Sequence, residues 1–153
     1  MADWLPWTLL IAAILHICEE FVWPGGFVDW YRRYRADGTG VTTRFLIIVN
    51  GVLLVVCCNI GFLGQKEAGT DYWLLIAALL CSNGCWHLWA SYKSRAYSPG
   101  VISGALIYVP LAIYGYIHFI QSGVASLETA VIAGIAGGSY PFWSALYHIK
   151  IKR

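Results

Sequence analysis

Residues 4–23 read WLPWTLLIAAILHICEEFVW. A helix of that length, rising about 1.5 Å per residue, crosses a hydrocarbon core of about 30 Å. From Trp4 to Leu15 the stretch carries no charge, and then His16, Glu19 and Glu20 fall within five positions. A segment apolar enough to enter a bilayer therefore ends in an imidazole and two carboxyl groups. Its leader has no positive charge, and no small-residue cleavage site follows a short apolar core, so the segment is expected to be a membrane span and not a signal peptide.

The rest of the chain fits that solvent. Of 153 residues, 59% are hydrophobic and 12% charged, about half the charge of a soluble domain, and the mean hydropathy is +0.63. An aromatic content of 16%, with eight Trp, suits a protein with two membrane interfaces to decorate. The net charge of +2 is too small to argue for nucleic acid. Five windows are long and apolar enough to span: Trp4 to Trp23, Phe45 to Leu63, Tyr72 to Tyr92, Val101 to Ile120 and Leu127 to Ile149. The expected fold is one all-α integral membrane domain over residues 1–153, with five transmembrane helices.

Charge sets the expected orientation. Arg32, Arg33, Arg35, Arg44, Lys93, Arg95, Lys150, Lys152 and Arg153 share one side of a five-span chain, and Lys66 stands alone on the other. Nine basic residues against one place the N-terminus outside and the C-terminus in the cytoplasm. After Pro24-Gly25-Gly26, the residues Phe27, Trp30, Tyr31 and Tyr34 recur at i, i+3, i+4, i+7, with Arg32, Arg33 and Arg35 elsewhere. This predicts a short amphipathic helix lying in the cytoplasmic interface, an anchor or else a lid or headgroup-binding surface.

Smaller signals refine the plan. Thr42 or Thr43 can cap the second span. Gln65 to Asp71 is expected to be an outer loop. Ser98 and Pro99 suit the cap and first position of the fourth span, and Pro110 should bend it. Ala130, Gly134 and Gly138 repeat every fourth residue, a face for close helix packing, and Pro141 beyond them is a candidate kink. The five cysteines, Cys18, Cys57, Cys58, Cys81 and Cys85, lie in spans and read as small hydrophobes.

The polar residues inside the spans carry the chemistry. His16, Glu19 and Glu20 sit at i, i+3 and i+4, on one helix face. An ionisable group inside a membrane is costly and marks function by default. Asn83 and His87 in the third span and Asn50 in the second fall at the same depth, as does a stripe of Tyr140, Ser144, Tyr147 and His148 in the fifth. These groups are expected to meet in one pocket near the cytoplasmic leaflet. His16, Glu19, Glu20 and His87 are its candidate catalytic residues, and Asn50, Asn83, Tyr140, Ser144 and His148 its supporting polar groups. His118 falls near the outer face.

The order of these motifs resembles the HXXEE family of small multi-pass membrane proteins. It rests on His16, Glu19 and Glu20 in the first span, then Asn83 and His87, then Tyr97, Pro99 and Gly100 before the next span. The resemblance runs over about residues 10 to 120. It implies a membrane location and a polar constellation, and leaves the activity to be read from the chemistry.

Three readings follow. The first is an enzyme acting on a lipid or isoprenoid-type substrate. His16, Glu20 and His87 have the ligand types for zinc or iron(II), suiting hydrolysis or oxidation. Without a metal, glutamic acid and histidine can move protons. That suits isomerisation of an isoprenoid or sterol, with Trp86, Trp89 and Trp143 facing a carbocation. The second is a proton-coupled transporter, which needs polar stations across the full thickness, whereas the outer half offers little beyond Asn59 and His118. The third is a structural or chaperone-like subunit, in which His16 pairs with Glu20 along its own helix. No serine nucleophile elbow, phosphate-binding glycine loop or HExxH is present.

Overall fold

The computed structural model describes residues 4–34 and 42–142, which are helical with no strand among them. A single 3₁₀ turn, Leu5–Trp7, leads into α1, Thr8–Phe21. There follow α2, Phe27–Tyr34, α3, Thr43–Leu63, and α4, Glu67–Ser94. Then come α5, Val101–Gln121, and α6, Leu127–Gly138. Three helices are long and apolar enough to cross a membrane by length and composition: Thr43–Leu63, Ala68–Ser94 and Val101–Gln121, of hydropathy 2.5, 1.3 and 1.5.

Central α4 packs against α6, α5 and α3. Its Trp73 is buried and donates its indole N–H to the Leu5 carbonyl at 3.1 Å. A Cβ on Gly115 would overlap the Trp73 ring, so α5 approaches α4 over a glycine. The core collects Leu5, Leu9, Cys57, Ile60, Leu74 and Phe119 from five elements. The cysteines are free thiols.

Several local expectations change. The outer loop shrinks, because α4 already begins at Glu67. Gly69 has no Cβ where it meets the Gly64 carbonyl, and Gly64 turns the chain at φ 68°. Thr42 caps α3 as expected, accepting from the Phe45 N–H at 3.2 Å. The bend expected at Pro110 appears as a π turn over Gly104–Tyr108. Pro110 has no N–H for the carbonyl four residues back, so the helix widens where that bond is missing. On α6 the close face is Ala130, Ala133 and Gly137, not Ala130, Gly134 and Gly138. Gly137 meets the Leu75 carbonyl, while nothing lies near Gly138. Both stripes begin at Ala130, and packing on α4 selects the i, i+3, i+7 register. The helix breaks at Ser139, two residues before Pro141.

The α2 helix forms where the aromatic spacing predicts, but its aromatic face meets protein. Phe27, Trp30 and Tyr31 are buried with Ala90 and against Leu46 and Trp86. Phe27 and Trp86 meet edge to face at 6.3 Å. Burying three rings against α4 removes more apolar surface from water than a helix lying alone on an interface.

Candidate functional site

The C-terminal half of α1 presents His16 and Glu20 one turn apart, both buried. On α4, His87 is fully buried and faces them. Its Nε2 lies 3.3 Å from Glu20 Oε1, and His16 Nε2 lies 3.6 Å from the same oxygen. The three ligand atoms fall within 4.8 Å of one another. Neither Nε2 makes a hydrogen bond. Two ligand atoms on one tetrahedral zinc at about 2.1 Å stand about 3.4 Å apart. The two separations from Glu20 Oε1, 3.3 and 3.6 Å, bracket that value.

The far side of each ring is held. His16 Nδ1 is 2.8 Å from Ser103 Oγ, and His87 Nδ1 is 3.1 Å from Ser98 Oγ. The Ser103 hydroxyl donates its proton to Glu19 Oε2. It therefore accepts from His16 Nδ1–H, which in the neutral ring leaves Nε2 with a lone pair. Glu20 Oε1 lies 3.6 Å from that nitrogen, inside the protein. Two acceptors in that position repel unless a cation, metal or proton, lies between them. A partner on the far nitrogen fixes the ring plane, as the outer partners of metal-binding histidines do.

Glu19 sits apart from this convergence. Its Oε1 accepts from the Ile102 N–H at 2.9 Å and the Tyr97 hydroxyl at 2.6 Å, and its Oε2 accepts from the Ser103 N–H at 2.7 Å. It thus caps α5, supplying from another helix what the expected Ser98 cap does not. Ser98 lies outside the helix, which starts after Gly100. The first N–H groups of a helix need acceptors, and a carboxylate there also meets the positive end of the dipole. Partial burial and the Glu19 carboxylate hold the Tyr97 phenol above its ordinary range.

Gly100 closes the site. It takes φ 98°, and a Cβ there would stand 2.7 Å from His16 Cε1 and 2.8 Å from His87 Cε1. Behind it, Gly84 and Gly104 touch backbone to backbone, so α4 and α5 come together at the level of the cluster.

His16 and Glu20 open onto a cavity of about 660 Å³ between α1, α2, α3 and α4. Asn50, Asn83 and Tyr140 line it. Asn83 Oδ1 is buried without a hydrogen-bond partner. Ser144, Tyr147 and His148 lie outside the described residues, as does Trp143. His118 stacks on Tyr114 near the other end of α5. Sequence reasoning passed over Tyr108, whose ring lies 4.6 Å from that of His16 and whose buried hydroxyl has no partner. Tyr114 and Tyr116 are phenols in the same span, so composition did not single Tyr108 out. Ser98 drew notice only as a helix cap and Ser103 not at all, because neither has a spacing relation to the histidine it holds.

The family described as protein of unknown function with HXXEE motif matches residues 7–115. The chain belongs to that family. The HXXEE letters of the match are His16, Glu19 and Glu20, and in the fold they divide their work: the first and last face His87, and the middle one caps α5. No curated protein and no solved structure matches this HXXEE chain.

Proposed function

We propose that this HXXEE protein is a membrane-embedded enzyme acting on a lipid or isoprenoid-type substrate, with a zinc or iron(II) ion held by His16, Glu20 and His87. The observation that carries the reading is the convergence of two buried imidazole Nε2 atoms, at 3.6 and 3.3 Å, on one carboxylate oxygen without a hydrogen bond to it. A divalent ion resolves that repulsion, and when bound it supplies Lewis acidity for hydrolysis or oxidation. His16 and His87 hold their ring planes through Ser103 and Ser98. Glu19 fixes Ser103, and so acts through His16. Tyr108 and Asn83 present unpartnered polar atoms at the cavity wall, where they orient a substrate and give or accept a hydrogen bond.

A second reading has its own support. Protons in place of a metal also neutralise the cluster, and Glu20 beside two imidazoles then suits acid–base isomerisation. A structural subunit requires no cavity beside the cluster. A transporter requires stations along the whole path, and Asn59 instead donates to the Val55 carbonyl of its own helix.

The topology belongs to the same proposal. The 3₁₀ turn and α1 together run over residues 5–21, long enough for a short span, and α6 opens a fifth. The basic residues then place the C-terminus in the cytoplasm and the site in the inner half of the bilayer. Cysteine accessibility near Arg33 and Lys93 tests this; opposite sides for the two would refute it. Elemental analysis tests the chemistry. One zinc or iron per chain in wild type, lost in His16→Ala and His87→Ala, supports the metal enzyme. A metal-free protein that catalyses isomerisation replaces it with the acid–base reading.

A further inference from the structure

The cavity is not uniform along its length, and its gradient describes a ligand. At one end its wall is aliphatic: Leu53 and Val56 from α3, Ile76 and Leu80 from α4. The middle carries polar groups, Asn50, Asn83, Glu20, His16 and the Tyr108 hydroxyl. Beyond them Trp30, Phe45, Trp86 and Trp89 form an aromatic stretch that ends at Lys93. Lys93 is the only lysine or arginine among the described residues that line the cavity. Phe45, Val52 and Trp89 on its wall are exposed, so the cleft is open sideways between α3 and α4.

Three measures follow. From His87 to Lys93 is six residues of α4, about 9 Å along the axis. From Asn83 to Ile76 is seven residues, about 10 Å in the opposite direction. At about 30 Å³ for a water-sized group, a cavity of about 660 Å³ holds on the order of twenty heavy atoms. That is about one hydrocarbon chain with a small head inside the cleft.

Resting on the reading of the site given above, we propose that the ligand is a single-chain lipid with an anionic head. The head pairs with Lys93, the chain runs past the His16–Glu20–His87 cluster, and the end of the chain lies among Leu53, Val56, Ile76 and Leu80. A carboxylate and a phosphate share the required chemistry, a charge-assisted bond to the ammonium group. The 9 Å between Lys93 and the cluster puts the group that meets the cluster some way along the chain and not in the head itself.

Binding to the purified full chain in detergent, read by native mass spectrometry, tests this. The probes are oleate, oleoyl lysophosphatidate, oleyl alcohol and dioleoyl phosphatidate. One molecule of a single-chain anion should bind per chain, at least tenfold more tightly than oleyl alcohol, and the two-chain lipid should not compete. Oleate and lysophosphatidate together distinguish a free fatty acid from a monoacyl phosphate. Lys93→Gln should lower anion binding to the level of the alcohol, and Val56→Trp should abolish binding of both. Lys93 is exposed, so its variant keeps the result readable if Val56→Trp does not fold. Equal binding of the two-chain lipid, or anion binding unchanged in Lys93→Gln, overturns the proposal. His87→Ala separates the two readings. If that variant and the wild type are both metal-free yet bind the single-chain anion through Lys93, the metal enzyme fails while the ligand assignment stands.

Discussion

Gly100 stands so close to His16 that a Cβ added to it would lie 2.7 Å from the imidazole Cε1. The loop between α4 and α5 is thereby pressed onto both histidines. Its φ of 98° is a conformation that side chains resist. Gly100→Ala should destabilise the protein by about 1–2 kcal/mol from backbone strain alone, with a further loss from displaced rings. The thermal midpoint should fall, and on the metal reading proposed above the metal content should fall with it.

The two adjacent glutamates should separate cleanly. Glu19→Gln replaces a carboxylate that accepts from Tyr97, Ile102 and Ser103. Hydrogen bonds to a charged group are worth about 1.5–3 kcal/mol each, so this variant should lose stability first. Glu20→Gln replaces the cluster carboxylate by a neutral amide and should keep the fold, while on the metal reading lowering metal content. A thermal melt beside elemental analysis checks the pair, and equal behaviour of the two variants contradicts the division.

Ser98 touches the cluster only through His87. On the metal reading, Ser98→Ala should weaken metal binding by about 10–100-fold, the usual cost of losing a partner behind a ligand. Ser98→Thr keeps the hydroxyl and should recover most of it if the larger side chain is accommodated. Chelator competition measures both, and a Thr variant that folds but is as weak as Ala would remove the hydroxyl from the argument.

Gly84 and Gly104 measure how tightly α4 and α5 must approach. A Cβ on Gly84 would lie 2.6 Å from the Gly104 carbonyl oxygen, whereas none of the structure lies within 4 Å of one on Gly51. Gly84→Ala should therefore cost about 1–3 kcal/mol through overpacking, and Gly51→Ala should leave stability unchanged or slightly raised. Parallel thermal melts in one detergent give the comparison.

Much of this molecule follows from local pattern. Apolar runs of span length give helices wherever backbone groups must be satisfied internally, and α3 runs close to its expected window. The i, i+3, i+4 spacing puts His16, Glu19 and Glu20 on one side of α1 whatever the rest of the chain does. The aromatic period foretells α2. Matching positions along the helices group His16, Glu19, Glu20, Asn50, Asn83, His87 and the Tyr140–His148 stripe. The fold brings His16, Glu20 and His87 together and puts Asn50 and Asn83 on the cavity wall, while Glu19 turns to α5.

Tertiary structure decided what period and depth leave open. Residues i+3 and i+4 stand about 60° to one side and about 40° to the other side of residue i, which does not say which carboxylate turns to His87 and which to α5. Glu19 takes the cap because the N-terminus of α5 arrives beside it with free N–H groups. Ser98, Ser103 and Tyr108 join the site through contacts made across the chain, His16 and Ser103 being 87 residues apart. The aromatic face of α2 has the same sequence whether it meets lipid or protein, and only the position of Trp86 and Ala90 turns it inward. The small-residue stripe of α6 likewise had two registers from Ala130, and the Leu75 carbonyl on α4 admitted the one with Gly137. Helical period is a property of each segment alone, while partner and direction are set by packing between segments distant in the chain.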